Sequence, residues 1–99
     1  MAAGSVRVSK EMGVSHREFF RILPRVLAGV AHAIEGRRIV AESDGRRLEI
    51  QLSEEGERRL SPVVAMPVTR VELAFWGYSE AERGAFLARF EREFFKGGG

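Results

Sequence analysis

Leu48, Ile50 and Leu52 alternate with Arg47, Glu49 and Gln51, and further along Val71, Leu73 and Phe75 alternate with Arg70, Glu72 and Ala74. Successive strand residues point to opposite faces, so each run has one dry and one wet side. A sheet built from such runs needs a cover on one face only, which predicts an antiparallel, half-exposed sheet. The cover stands on both flanks of the strand region. Phe19, Ile22, Leu23, Val26, Leu27 and Val30 recur at three-and-four spacing, and so do Phe86, Leu87, Phe90 and Phe94. That spacing is the apolar stripe of an amphipathic helix. Each stripe opens on a Ser-x-x-Glu pair, Ser15 with Glu18 and Ser79 with Glu82, the set that satisfies free backbone N–H groups in a first helical turn.

Turn chemistry sets the remaining boundaries. Glu35-Gly36 and Ser43-Asp44-Gly45 break the strand region, because Gly accepts positive φ and Asp bonds its own backbone, and Ser53 to Glu57 reads as a polar turn. Pro24 removes a donor inside the first helix and clashes with the carbonyl of Phe20, which predicts a kink or two short helical pieces. Gly29 lets the chain turn out. Pro62 and Pro67 mark the early part of PVVAMPVTRVELAF as an edge or a bend, since neither donates to a ladder. Lys96 and Gly97 close the last helix as a cationic end and a left-handed cap.

The expected fold is α+β. It is a two-layer sandwich in which an antiparallel sheet of three to four strands carries an N-terminal and a C-terminal helix on one face, in the order α-β-β-β(-β)-α. Residues 1–13 are expected to form a flexible arm, 14–96 one globular domain and 97–99 a glycine tail. Over residues 15–96 this order resembles the α-β-β-β-α of the double-stranded-RNA-binding domain, and also the small Alu-binding subunits of the signal recognition particle. The first resemblance implies lysines at the N-terminus of the last helix that grip phosphates. Ser79-Glu80-Ala81-Glu82 stands there instead and would repel them.

Composition limits the chemistry. Ninety-nine residues, 44% of them hydrophobic and seven of them Phe, fit one domain with one core. No run approaches the roughly 18 apolar residues of a membrane span, and no stretch resembles a signal peptide, so a cytoplasmic location is expected. Without Cys there is neither a disulfide nor a thiolate ligand. The sole Asp, Asp44, lies in a turn, while His16 at a helix start and His32 on a strand belong to no recognisable catalytic or metal set. No phosphate-cradling glycine motif is present. Neither an enzymatic activity, a cofactor nor a metal is expected.

What is left over is aromatic surface. Phe19-Phe20 and Phe94-Phe95 are adjacent pairs, and adjacent helix positions point about 100° apart, so one member of each pair is left outside the stripe. Phe20 and Phe95, with Trp76 of the Trp76-Gly77-Tyr78 corner, are the expected anchors for a protein partner or a second copy of the chain. The edge from Pro62 to Pro67 is a second pairing surface. Two alternatives stand beside this reading. The basic residues outnumber the acidic by 16 to 14, and the doublets Arg37-Arg38 and Arg58-Arg59 in loops would suit RNA phosphates. The closing FFKGGG resembles the tails of sulfur carriers and ubiquitin-like modifiers, although in those folds the glycines follow a strand. A membrane partner is not expected.

Overall fold

The structure, a computed structural model, describes residues 4–98. Residues 1–3, the side chain of Lys96 and the terminal Gly99, on which parts of the arm, cap and tail expectations fall, lie outside the described residues. Two helices and six strands follow one another as β1 (Val6–Met12), α1 (His16–Leu27), β2 (His32–Glu35), β3 (Arg38–Ser43), β4 (Arg46–Leu52), β5 (Gly56–Ser61), β6 (Val64–Trp76) and α2 (Glu80–Gly98). The strands form one antiparallel sheet in the order β1-β6-β4-β3-β2, with β5 paired to β6 off that path.

Six strands stand where three or four were expected, and the order begins with a strand, so the likeness to the α-β-β-β-α domains does not extend to the observed topology. Val6–Met12, in the segment expected to fray, pairs along its whole length with β6, from Val6 opposite Phe75 to Met12 opposite Thr69. The physical reason is visible in hindsight: Val6, Val8 and Met12 keep the period of two, and Lys10, the residue that breaks it, sits on the helix side and bonds Glu91 of α2 at 2.5 Å. The other extra strand, β5, covers the stretch expected to be a loop, so Arg58 and Arg59 lie within a strand.

The core lies between the sheet and the two helices. Leu48, Ile50 and Leu52 of β4 stand opposite Phe75, Leu73 and Val71 of β6, and Ile39 and Ala41 of β3 stand opposite Ile50 and Leu48. All are buried with Phe19, Ile22, Leu23, Val26 and Leu27 of α1 and Phe90 and Phe94 of α2. Both helices therefore cover the same face, as the alternating strands required. Of the seven Phe, 19, 75, 90 and 94 are buried, 20 and 86 are half-buried against the core, and Phe95 is exposed. The Phe19 ring stacks on Phe94 with centroids 4.9 Å apart, and Phe94 lies 4.7 Å from Phe90, close enough for direct aromatic packing.

Helix ends follow local chemistry. Ser79 and Glu82 close a complete capping box, with Glu82 N donating to Ser79 Oγ at 3.1 Å and Ser79 N donating to Glu82 Oε1 at 2.8 Å. At α1 only half of the box forms. Ser15 Oγ accepts from Glu18 N at 3.0 Å, but the Glu18 carboxylate turns to Arg21, one turn on. A free donor of the first turn, His16 N, is met instead by Glu55 from the far side of β4, at 2.8 Å. Pro24 does not split α1: the helix runs through it and ends three residues later, where Ala28 at φ 53 donates to Pro24 O at 3.0 Å. α2 continues to Gly98, past the cap expected at Gly97. Gly77, at φ 76, makes the turn between β6 and α2, and its backbone is so close to the β3–β4 turn that a Cβ there would lie 2.5 Å from Gly45 O.

Candidate interaction surface

β6 is 13 residues long, and β1 and β4 accompany only its second half. β1 stops opposite Thr69 and β4 opposite Val71. Residues 64–68 pair with β5 alone, from Gly56 opposite Val68 to Ser61 opposite Val64. The result is a two-stranded ribbon that prolongs the sheet beyond its other strands by five residues of β6, or roughly 16 Å at the usual strand rise. No residue of β5 is buried. At the tip, Ser61 Oγ accepts from the backbone N of Val63 at 3.3 Å and of Val64 at 3.1 Å, fastening the Pro62-Val63 turn. Leu60, Val63 and Val64 are 58%, 90% and 48% exposed.

A groove of about 600 Å³ opens at the root of this ribbon, between the end of β1 and the last turns of α2. Met12, Val14, Phe90 and Phe94 supply apolar lining, Lys10 and Glu91 are joined by their ion pair, and Phe95 adds a ring that is 86% exposed. Two contacts tie ribbon and groove together. Arg58 of β5 reaches across to Glu11 of β1 at 2.6 Å, and Met66 of β6 lies so close to Gly13, in the groove wall, that a Cβ on Gly13 would come 2.2 Å from its Cε. Buried Thr69 holds the β1–α1 connection in place, its Oγ1 donating to Val14 O at 2.9 Å. Among the described residues no buried side-chain nitrogen or oxygen lacks a partner.

The expected anchors fall in three places. Phe95 lines the groove. Phe20 is half-buried on α1, its ring edge-on to Phe19 with centroids 5.9 Å apart. Trp76 lies on the opposite, wet face of the sheet, across from Arg47 on β4, whose guanidinium stands 5.9 Å from the Trp76 ring centre. That face is laced with charge. Arg47 contacts Glu49 and Glu42 at 2.7 Å each, and Glu49 also accepts Arg38 at 3.1 Å. The hydrogen bond from Arg47, then that from Arg38, holds the Glu49 carboxyl below the usual carboxylate range.

The Arg doublets do not form one cluster of their own. Arg37 is 3.9 Å from Glu54 and Arg38 bonds Glu49, whereas Arg58 turns to Glu11 and Arg59 is 3.8 Å from Glu57 and 3.2 Å from Pro62 O. Exposed pairs of this kind contribute about 0 to 1 kcal/mol each. His16 Nε2 is 2.8 Å from Ser53 O, 37 residues away in the chain, and His32 Nδ1 is 3.0 Å from Val30 O, so each ring bonds a backbone carbonyl. Among the described residues no three His, Asp or Glu side chains are close enough together to hold a metal, and no helix is long and apolar enough to cross a membrane. Set against known protein families, curated proteins and solved structures, the chain matches none.

Sequence reasoning singled out Phe95 and marked Pro62 to Pro67 as an edge, but missed β5, the strand that pairs with that edge to make the ribbon. The residues of β5, Gly-Glu-Arg-Arg-Leu-Ser, carry no alternation, because a strand with no core beneath it needs none.

Proposed function

We propose that this chain acts by protein association rather than by catalysis, and that its binding surface is the end of the molecule where Phe95, the groove and the outer edge of β1 meet. The observation that carries the reading is the contrast between two neighbouring residues. Phe94 is 5% exposed and closes the core, while Phe95 is 86% exposed at the rim of an apolar groove. A large ring exposed beside an apolar groove is the kind of aromatic anchor that protein interfaces bury. β1 also pairs on one side only, which leaves its other edge available to a partner chain.

The test is Phe95→Ser. Loss of association in solution, or of a captured protein in a pull-down from host extract, at unchanged melting temperature is the expected result. A lower melting temperature with the same solution mass and the same captured proteins would assign Phe95 to the core and remove the reading's main support.

A further inference from the structure

α1 stops at Leu27, where Ala28 takes the left-handed conformation that caps it. Beyond that end the helical cover of the sheet is incomplete. On the sheet below, β3 presents Ala41 opposite Leu48 of β4, and a single methyl group at that position leaves room above it. A cavity of about 240 Å³ opens there, between the end of α1, the first turns of α2 and the β3–β4 hairpin. Its floor is core, formed by Leu27, Ala41 and Leu48. Its walls are the half-buried Val30, Tyr78 and Phe86, whose apolar surface a solute can reach.

The polar part of the lining is unevenly satisfied. Arg46 is balanced by Glu82 at 2.7 Å and Asp44 at 3.6 Å, with its guanidinium 5.8 Å from the Tyr78 ring centre. Glu82 also accepts from the Ser79 backbone N–H at 2.8 Å. Arg89 lines the same cavity, about two turns along α2 from Glu82, and makes no ion pair or side-chain hydrogen bond among the described residues. The Tyr78 hydroxyl likewise has no partner among them. Burial raises the Tyr78 pKa, so the hydroxyl keeps its proton and remains a donor. Two donors without an acceptor therefore share one apolar cavity.

We propose that this cavity binds a small organic carboxylate, with the apolar body of the ligand against Val30, Phe86 and the Tyr78 ring and its carboxylate accepting from Arg89 and the Tyr78 hydroxyl. A mostly apolar hollow with a few placed polar groups is the usual composition of a small-molecule site. Its size falls just below the roughly 300 to 1,000 Å³ that takes drug-sized molecules, which limits the ligand to a single ring or a short branched chain. The guanidinium fork matches a carboxylate, and one uncompensated cation beside Glu82 suits a monoanion better than a dianion such as phosphate. The cavity lies at the opposite end of α2 from the Phe95 groove, so the proposal stands independently of the association reading.

The probe is benzoate, with benzyl alcohol as the ring without the charge and acetate as the charge without the ring. Amide NMR shifts on the full chain should saturate with benzoate and centre on Val30, Arg46 and Ala85. Either control should bind about tenfold more weakly, since each lacks half of the contact. Arg89→Gln should lower the benzoate affinity about tenfold, the effect of losing a charge-assisted hydrogen bond, at an unchanged melting temperature because the side chain is exposed. Ala85→Phe, at an exposed position of the lining, should fill the mouth and abolish binding, while Phe95→Ser should leave it intact. Absence of a saturable shift with benzoate overturns the proposal. So does a control that binds as well as benzoate, or an affinity that Arg89→Gln leaves unchanged. Binding that Phe95→Ser removes and Ala85→Phe does not would place benzoate in the groove and overturn it equally.

Discussion

Truncating Phe94 and Phe95 separately to Ala is the most discriminating test of how α2 is seated. The two residues are chemically identical and adjacent, so helix propensity and local sequence cancel in the comparison. Phe94 stacks on Phe19 at 4.9 Å, lies 4.7 Å from Phe90 and is 5% exposed. Phe→Ala in such a setting costs about 3 to 5 kcal/mol. For a domain of this size each kcal/mol is worth about 4 to 8 °C, so Phe94→Ala should lower the melting temperature by roughly 12 to 40 °C. Against a total stability of about 5 to 15 kcal/mol, the variant is at the margin of folding. Phe95→Ala removes a ring already 86% exposed and should change monomer stability by no more than about 0.5 kcal/mol. Guanidinium unfolding, followed by fluorescence of the single Trp, measures both; the midpoint should fall for Phe94→Ala with an unchanged slope. Dilute protein is needed, because any dimer adds apparent stability by mass action. Comparable losses from both variants, or a larger loss from Phe95→Ala, would mean that the apolar face of α2 is rotated by about one residue, or 100°. The groove and its exposed ring would then not exist as described.

Two further predictions concern the scaffold. Gly77 and Gly45 have almost the same φ, 76 and 77, but a Cβ at Gly77 meets Gly45 O at 2.5 Å while one at Gly45 meets nothing within 4 Å. Gly45→Ala should therefore cost only the left-handed backbone penalty of about 1 kcal/mol, and Gly77→Ala at least twice that, as read by thermal melts; equal losses would show that the β6–α2 corner yields to the side chain. The second concerns acid. The carboxyls of Glu82, held by the Ser79 backbone N–H, of Glu91, held by Lys10, and of Glu49, held by Arg47, all lie below the usual glutamate range. A folded-state pKa below the unfolded one means that the unfolded chain binds more protons as pH falls, so these groups stabilise the fold above the ordinary range and the contribution disappears on acidification. The urea midpoint should be level near neutrality and decline below about pH 4.3, the unfolded glutamate value; a midpoint unchanged on acidification contradicts the assignment.

Periodicity alone determined the parts of this protein that touch its core. The alternation in β4 and in the second half of β6, the two apolar helical stripes and the glycine turns each follow from burying one face of an element, and that requirement is written residue by residue. Phe95 was legible for the same reason: it is the residue that the α2 stripe leaves out. Phe20, equally outside its stripe, shows the limit of the argument, because whether an off-stripe ring reaches water depends on what lies beside the helix, and here the core takes it partly in. β1 was written faintly, with Lys10 breaking its alternation, since a lysine is admissible on the inner side only if a partner such as Glu91 waits at its tip, and that partner is 81 residues away in the chain. β5 was not written at all, and the first part of β6 was marked only by Pro62 and Pro67, as an edge or a bend. They bury no face, so no pattern of hydrophobicity constrains them, and what orders them is backbone pairing that asks little of the side chains, with Pro67 itself standing opposite Glu57. The junction of ribbon, groove and exposed ring is therefore a product of the tertiary structure, where elements from both ends and the middle of the chain arrive at one place.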